Sequence, residues 1–178
     1  MRITTLVENT KISDEYENKH GLSFHIETEK HNILFDLGPK NTFLTNAKKL
    51  NINLEEVDIV VISHGHNDHG GGLEEFLKIN NKAKVYIHKD AFNEYYSMAG
   101  IFKKYIGLDK ELKKNPRIIL TEGDMKIDDE LYLFSVVENR HKVSKFNKVL
   151  YKRVDGMYLE DDFVHEQSLI ITEDNKNV

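Results

Sequence analysis

The chain has 178 residues, a formal net charge of −5, 39% hydrophobic and 31% charged residues, two prolines and no cysteine. That is the make-up of a soluble globular protein, and a single domain over 1–178 with one sizeable core is expected. Lacking cysteine, it has no disulfides, thiolate ligands or cysteine nucleophiles. No apolar run approaches the roughly 20 residues of a membrane helix, and Met1-Arg2-Ile3-Thr4-Thr5 has no signal-peptide shape, so a cytoplasmic protein with no membrane partner is expected.

In chain order, residues 2–7 read as a first strand and 14–20 as a polar, mobile loop. Leu22, Phe24 and Ile26 alternate with polar residues as in a half-buried strand, and 31–36 makes a third. Phe43, Leu44, Ala47 and Leu50 recur at helical spacing behind the start signals Pro39 and Asn41, which predicts a helix over 41–50. After a connector at 54–57, the apolar run 58–62 reads as a buried strand, 73–79 as a helix and 83–87 as another strand.

Residues 92–108 are aromatic and amphipathic and read as one helix broken at Gly100, its rings Tyr95, Tyr96, Phe102 and Tyr105 forming either core or an apolar wall beside a site. Residues 117–120 and 131–137 read as strands of a second sheet, 137–160 as polar and irregular, and 167–172 as a final strand. Lysines are spread along the chain, and Lys103-Lys104 and Lys113-Lys114 read as solvated helix faces, so no nucleic-acid partner is expected. Composition and periodicity alone imply no more than mixed α and β.

The chemistry concentrates in Ser63-His64-Gly65-His66-Asn67-Asp68-His69-Gly70-Gly71-Gly72, three imidazoles and a carboxylate directly after the 58–62 strand. Imidazole nitrogen and carboxylate oxygen suit zinc, iron or manganese, and a strand end followed by glycines can hold ligands rigid while leaving coordination positions open. His64 and His66 alternate, so in extended chain both leave the backbone on one side and can share an ion. Asp68 and His69 follow where the chain turns into a helix and are placed for a second ion.

This HxHxDH pattern after a strand, with Phe35-Asp36-Leu37-Gly38 upstream, resembles the metallo-β-lactamase superfamily of di-metal hydrolases. Shorter strings, Leu6-Val7-Glu8-Asn9-Thr10, His20-Gly21-Leu22-Ser23 and Asp162-Phe163-Val164-His165-Glu166-Gln167-Ser168-Leu169, are similar to its superfamily II metal-dependent hydrolases, which include the dihydropterin ribofuranosyl-aminobenzene phosphate synthase-like proteins. The resemblance implies an α+β fold, the αββα sandwich. It also implies two divalent ions, zinc first with iron or manganese as alternatives, ligated by His64, His66, Asp68, His69 and His165. Asp68 has a further implied role in proton handling, since bound ions lower the pKa of water to about 7. Asp36 is expected to accept hydrogen bonds from the ligand loop without touching metal. Asn9, His20 and Ser23 are expected to face a small-molecule substrate. His25 and His31 are expected at the surface, and His88 and His141 are expected to be ordinary surface or hydrogen-bonded histidines.

The function implied is a metal-dependent hydrolase or related transferase acting on a small phosphorylated or pterin-like molecule. Alternatives are a phosphodiesterase- or lactonase-type hydrolase on the same fold, or a catalytically silent metal-binding domain. The resemblance further implies that the fold continues past Glu173-Asp174-Asn175 with a return strand and more ligands. The chain is therefore expected to be the N-terminal portion of the sandwich, with an exposed sheet edge through which copies could associate.

Overall fold

Ile59–Ile62 is four apolar residues of which all are β-branched, and such a strand is stable only when both of its faces are covered. In the computed structural model, which describes residues 1–135, 144–174 and 176–178, all four are buried. In chain order the first elements are β1 (Arg2–Val7), β2 (Ser23–Glu27), β3 (Asn32–Phe35), α1 (Thr42–Lys49), β4 (Ile59–Ile62), α2 (Asn67–Gly70), α3 (Leu73–Ile79) and β5 (Lys84–His88). There follow β6 (Glu94–Ala99), β7 (Phe102–Tyr105), β8 (Ile118–Thr121), β9 (Met125–Lys126) and β10 (Leu131–Phe134). The last strands are β11 (Leu150–Val154), β12 (Met157–Glu160), β13 (Ser168–Glu173) and β14 (Lys176–Asn177).

The first sheet has six strands in the order β1-β2-β3-β4-β5-β8, antiparallel from β1 to β3 and parallel from β3 to β8. Strand periodicity sends its side chains to two cores. Leu34, Val60, Ile62, Val85 and Ile87 pack under Phe43 and Ala47 of α1 and Leu73 and Phe76 of α3. Ile33, Ile59, Val61 and Tyr86 face the other way, onto Leu131, Leu133 and Ile171 of a second sheet, β14-β13-β10-β9. Helix, sheet and sheet thus lie in layers, the first three of the αββα sandwich. Among the described residues no helix is long and apolar enough to cross a membrane.

A third sheet, β12-β11-β6-β7, corrects two expectations. Residues 92–108 hold no broken helix: β6 and β7 form a hairpin, with Ala99 opposite Phe102 and Gly100 first in a two-residue turn at φ +60°, as a II′ turn requires. Tyr95 is buried, Tyr96 beside it half-buried and Phe102 exposed, so the aromatic run lies on two paired strands and not on one face of a helix. Residues 137–160 are not irregular throughout either, because β11 and β12 pair about Asp155-Gly156, both at positive φ, the Asp-Gly signature of a type I′ hairpin. Residues 136–143, His141 included, lie outside the described residues.

Two further corrections concern strand partners. The 117–120 strand belongs to the first sheet, where β8 runs parallel to β5 with Val85 opposite Ile118. A return strand after β13 has begun, since Lys176 and Asn177 pair with Glu173 and Thr172. The polar 14–20 loop carries no strand and is tied at its middle by Asn46 of α1, whose Nδ2 donates to the Leu6 and Glu17 carbonyls (both 2.7 Å).

His31, expected at the surface, clasps the two main sheets together. Its Nδ1 faces Asp58 (2.8 Å), just before β4, and its Nε2 faces Asp128 (2.7 Å), just before β10. Burial alone would lower this imidazole's pKa, but the hydrogen bonds to Asp58 and Asp128 outweigh it and hold the pKa above its ordinary value. A raised folded-state pKa adds stability that is fully present below the unfolded value near 6.5 and is lost as pH rises through the folded one. His31→Gln should therefore melt lower than the wild type by roughly 2–4 °C, about 1 kcal/mol for a chain of this size, at pH 6. Melting curves at pH 6 and pH 9 check this, and the gap should shrink at the higher pH.

Candidate metal centre

β4 delivers the motif to the carboxyl end of the first sheet, where the chain leaves the strand at Ser63 and turns into α2. Gly65 is required by close approach, since a Cβ there would come within 2.2 Å of the Ala91 carbonyl oxygen. On the other flank, Gly21 (φ +136°) lets the loop before β2 lie against α2; a Cβ would sit 2.0 Å from the Asp68 carbonyl oxygen. The loop is clamped from beneath by Asp36, at φ +58° just past β3 and wholly buried. Its carboxylate accepts the Ser63 N–H (2.7 Å), the Ser63 hydroxyl (2.7 Å) and His69 Nδ1–H (2.6 Å). Ser63 Oγ in turn accepts from His64 Nδ1 (2.9 Å). Both imidazoles thus have Nδ1 occupied and Nε2 left over, the role expected of Asp36.

Two groups of three donors result. Ligand atoms of His64, Asp68 and His69 lie within 4.8 Å of one another, and so do those of His66, Asp161 and His165. The groups adjoin: the rings of His64 and His66 are 4.7 Å apart and those of His66 and His165 5.4 Å. Spacing along the chain suggests that His64 and His66 share one ion and Asp68 and His69 another; the folded chain instead groups His64 with Asp68 and His69. The reason is that α2 begins immediately after His66 and swings Asp68 and His69 back over His64.

Asp161 was not singled out in the sequence. Its side chain is fully buried, faces His66 Nε2 at 2.9 Å and His165 Nε2 at 3.2 Å, and accepts the Phe163 N–H. Burial would raise its pKa, but the hydrogen bonds to His165 and His66 outweigh that and hold the carboxyl well below the usual carboxylate range. His165 reaches the cluster as expected, with its Nδ1 2.8 Å from the Gly65 amide nitrogen and its Nε2 3.2 Å from Asp161. Gln167 fixes this segment to the sheet: its N–H donates to Ser63, its Nε2 to the Ile62 (2.8 Å) and Tyr86 (3.1 Å) carbonyls, and its Oε1 accepts from Thr121.

The remaining expected residues divide. His20 is brought to the site, its Nε2 3.3 Å from Asp68 Oδ2, and Asn9 stands behind it with Oδ1 3.0 Å from His20 Nδ1. Ser23 is not available to a substrate: it is wholly buried, and its hydroxyl donates to the Asp36 carbonyl (2.9 Å), bracing the clamp. His25, expected at the surface, points inward from β2 and is buried. His88 is buried at the end of β5 and accepts the Asp90 N–H on Nδ1 (3.3 Å). Of the candidate wall aromatics, Tyr95 lies against His165 with ring centroids 4.1 Å apart, buried behind the cluster. Phe163, at φ +54°, stacks on His165 at 5.6 Å.

The donor set fits divalent metal. Burial, followed by the charges of His69, His66 and His165, pushes the His64 pKa well down, so the imidazole is neutral at physiological pH with a lone pair to offer. For His69, burial is outweighed by the hydrogen bond and charge of Asp36, which raise its pKa.

Residues 18–143 match the family model described as the metallo-beta-lactamase superfamily. The chain belongs to the metallo-β-lactamase superfamily. It is 31% identical over 190 residues to the 7,8-dihydropterin-6-methyl-4-(beta-D-ribofuranosyl)-aminobenzene-5′-phosphate synthase of Methanocaldococcus jannaschii, covering 97% of this chain and 64% of that protein. It is 34% identical over 180 residues to the uncharacterized protein MJ0448 of the same organism, covering 96% of this chain and 68% of that one. A solved structure described as a metal-dependent hydrolase of the beta-lactamase superfamily superposes with a TM-score of 0.76 at 30% identity, over 97% of this chain and 61% of that chain. The chain thus spans about two thirds of the length of these superfamily relatives.

Asp161 gives a prediction of its own. Removing its charge with Asp161→Asn should weaken divalent-metal affinity about 10- to 100-fold, the usual effect of a lost partner carboxylate at a metal site. Asp162→Asn, at a half-exposed carboxylate paired with Lys152, should leave affinity unchanged. Chelator-competition titrations of the two variants provide the comparison.

Proposed function

We propose that this chain acts as a metal-dependent hydrolase, or a closely related transferase, on a small phosphorylated or pterin-like molecule, with zinc the first candidate metal and iron or manganese the alternatives. The observation that carries the reading is the pair of adjoining donor groups at one sheet end, each with two imidazoles and one carboxylate. His64, His66, Asp68, His69 and His165 are the proposed ligands, with Asp161 beside them. Divalent ions held there would supply Lewis acidity for a scissile carbonyl or phosphoryl oxygen and lower the pKa of water to about 7. The phosphorylated, pterin-related product in the name of the archaeal relative supports the substrate class.

The protein's own part is positioning and proton handling. Asp36 holds His69 directly and His64 through Ser63, so neither ring turns. Asp68 is the partly exposed carboxylate of the cluster, with Oδ2 3.3 Å from His20 Nε2 and 3.8 Å from His69 Nε2. It is the group placed to take a proton at Oδ2 during attack and to return it to a leaving group. His20, whose side chain is 85% exposed, offers the proton a way to solvent.

Two variants test the assignment. His64→Ala combined with His66→Ala should abolish tight metal occupancy, measured by elemental analysis of purified protein; unchanged metal content would refute the metal centre. Asp68→Asn keeps an oxygen donor but loses the charge, so turnover found on a panel of phosphomonoesters, phosphodiesters and lactones should fall at least about a hundredfold, the order of a general base. Full turnover with normal metal content would leave Asp68 a structural role only.

A further inference from the structure

Among the described residues, the non-glycine positions at positive φ are Asp36, Lys40, Asn51, Asp155, Phe163 and Asp174. Aspartate and asparagine tolerate this conformation through their short polar side chains, whereas a bulky residue there is a genuine outlier. Phe163, at φ +54°, is the aromatic one. A glycine would make the same turn without the steric cost, so what the position gains comes from the ring. Its neighbours sharpen the point, because Phe163 stands in the otherwise largely polar run Asp161-Asp162-Phe163-Val164-His165-Glu166.

The backbone at Phe163 is held on both sides. Its N–H donates to Asp161 Oδ1 (3.0 Å) and its carbonyl accepts the Glu166 N–H (3.1 Å). The ring is thereby laid against three of the four imidazoles, with centroids 5.4 Å from His66, 5.6 Å from His165 and 6.0 Å from His64. Its plane is within 19° of that of His165. Tyr95 meets two of the same imidazoles, His165 at 4.1 Å and His66 at 5.4 Å, but Tyr95 is buried and Phe163 is only half-buried. His66 and His165 therefore each have one aromatic neighbour in the interior and one at the surface.

We infer that Phe163 is a positioning residue that covers the donor group of His66, Asp161 and His165, fixing the His165 ring and limiting how readily water and competing ligands reach an ion held there. The inference deepens the proposed function and rests on that reading for the presence of metal. An apolar shell around a metal site governs solvent access and local dielectric, and strain in the main chain persists where the surrounding structure over-determines it, most often at functional sites. Both conditions meet at Phe163. The hydrogen bond from its N–H ties the cover to Asp161, the carboxylate that faces His66 and His165, so cover and donor group are set by one turn.

The test is the rate at which the zinc-loaded full chain gives up zinc to an excess of a colorimetric chelator, with melting temperatures measured on the same samples. Phe163→Ala and Phe163→Gly should both release zinc roughly tenfold faster than the wild type, the scale of a lost supporting contact at a metal site. Phe163→Tyr, which keeps the ring, should release it at close to the wild-type rate. The two small residues differ in stability, because glycine is at ease at positive φ and alanine is not, so the Gly variant should melt above the Ala variant. Equal release rates at unequal melting temperatures are what a cover produces and what a role in stability alone does not. Release at the wild-type rate in both variants, or acceleration in the Ala variant only, would overturn the inference. Val164→Ala, at a neighbour that is 50% exposed, should leave release unchanged; acceleration equal to that of Phe163→Ala would trace the effect to a loosened turn and overturn it as well. A wild type that takes up no zinc, iron or manganese would remove the metal reading and this inference together, whereas uptake with release indifferent to Phe163 removes the cover alone.

Discussion

Everything at the site depends on one buried carboxylate. Asp36 sits in a left-handed backbone conformation that costs a non-glycine residue on the order of 1 kcal/mol or more, and it is withdrawn completely from water. An unpaired charge there would be prohibitive. What offsets the cost is a full set of donors: a main-chain N–H and a hydroxyl from Ser63, and an imidazole N–H from His69. Because all three donors belong to the 63–72 segment, satisfying Asp36 and shaping that segment are the same event. The strand pairing that brings β3 beside β4 places acid and loop in register.

Asp161 plays the corresponding part for the other half of the cluster. Asp36 grips His69 directly and His64 through Ser63, while Asp161 faces His66 and His165. The two acids lie 125 positions apart in sequence, as their numbers show, and reach the cluster from different directions. Four rings are thereby held close around two buried carboxylates, and for His64 burial, followed by the charges of the other three imidazoles, pushes the pKa well down.

What was legible in the sequence was local. The β4 run, the α1 and α3 helices, the HxHxDH string and the Asp36 turn depend on neighbours within a few residues, and the structure places them where the pattern predicts. What was not legible depends on distant partners or on turn chemistry. The aromatic stretch around Tyr95 and Tyr96 has enough apolar residues to suit either period, and only its pairing across Gly100 decides for strands. Asp155-Gly156 did carry a hairpin signal, obscured by the polar residues around it. Asp161 had no signal beyond lying four residues before His165, because its significance comes from His66, 95 positions away. Ser23 shows the reverse error: a polar residue at a strand edge looks accessible until the fold closes over it.

Gln167 bears on the order in which the molecule assembles. Its side chain reaches the carbonyls of Ile62 and Tyr86 and the hydroxyl of Thr121, contacts that close loops of 105, 81 and 46 residues. Loop-closure entropy makes such contacts slow to form relative to local ones. The imidazoles of 64–69 can therefore be gathered by Asp36 early, while Asp161 and His165 arrive only when the later strands dock. During synthesis, an ion captured by the first group would wait on a half-built site, and the docking of Gln167 is the step at which the second half closes around it.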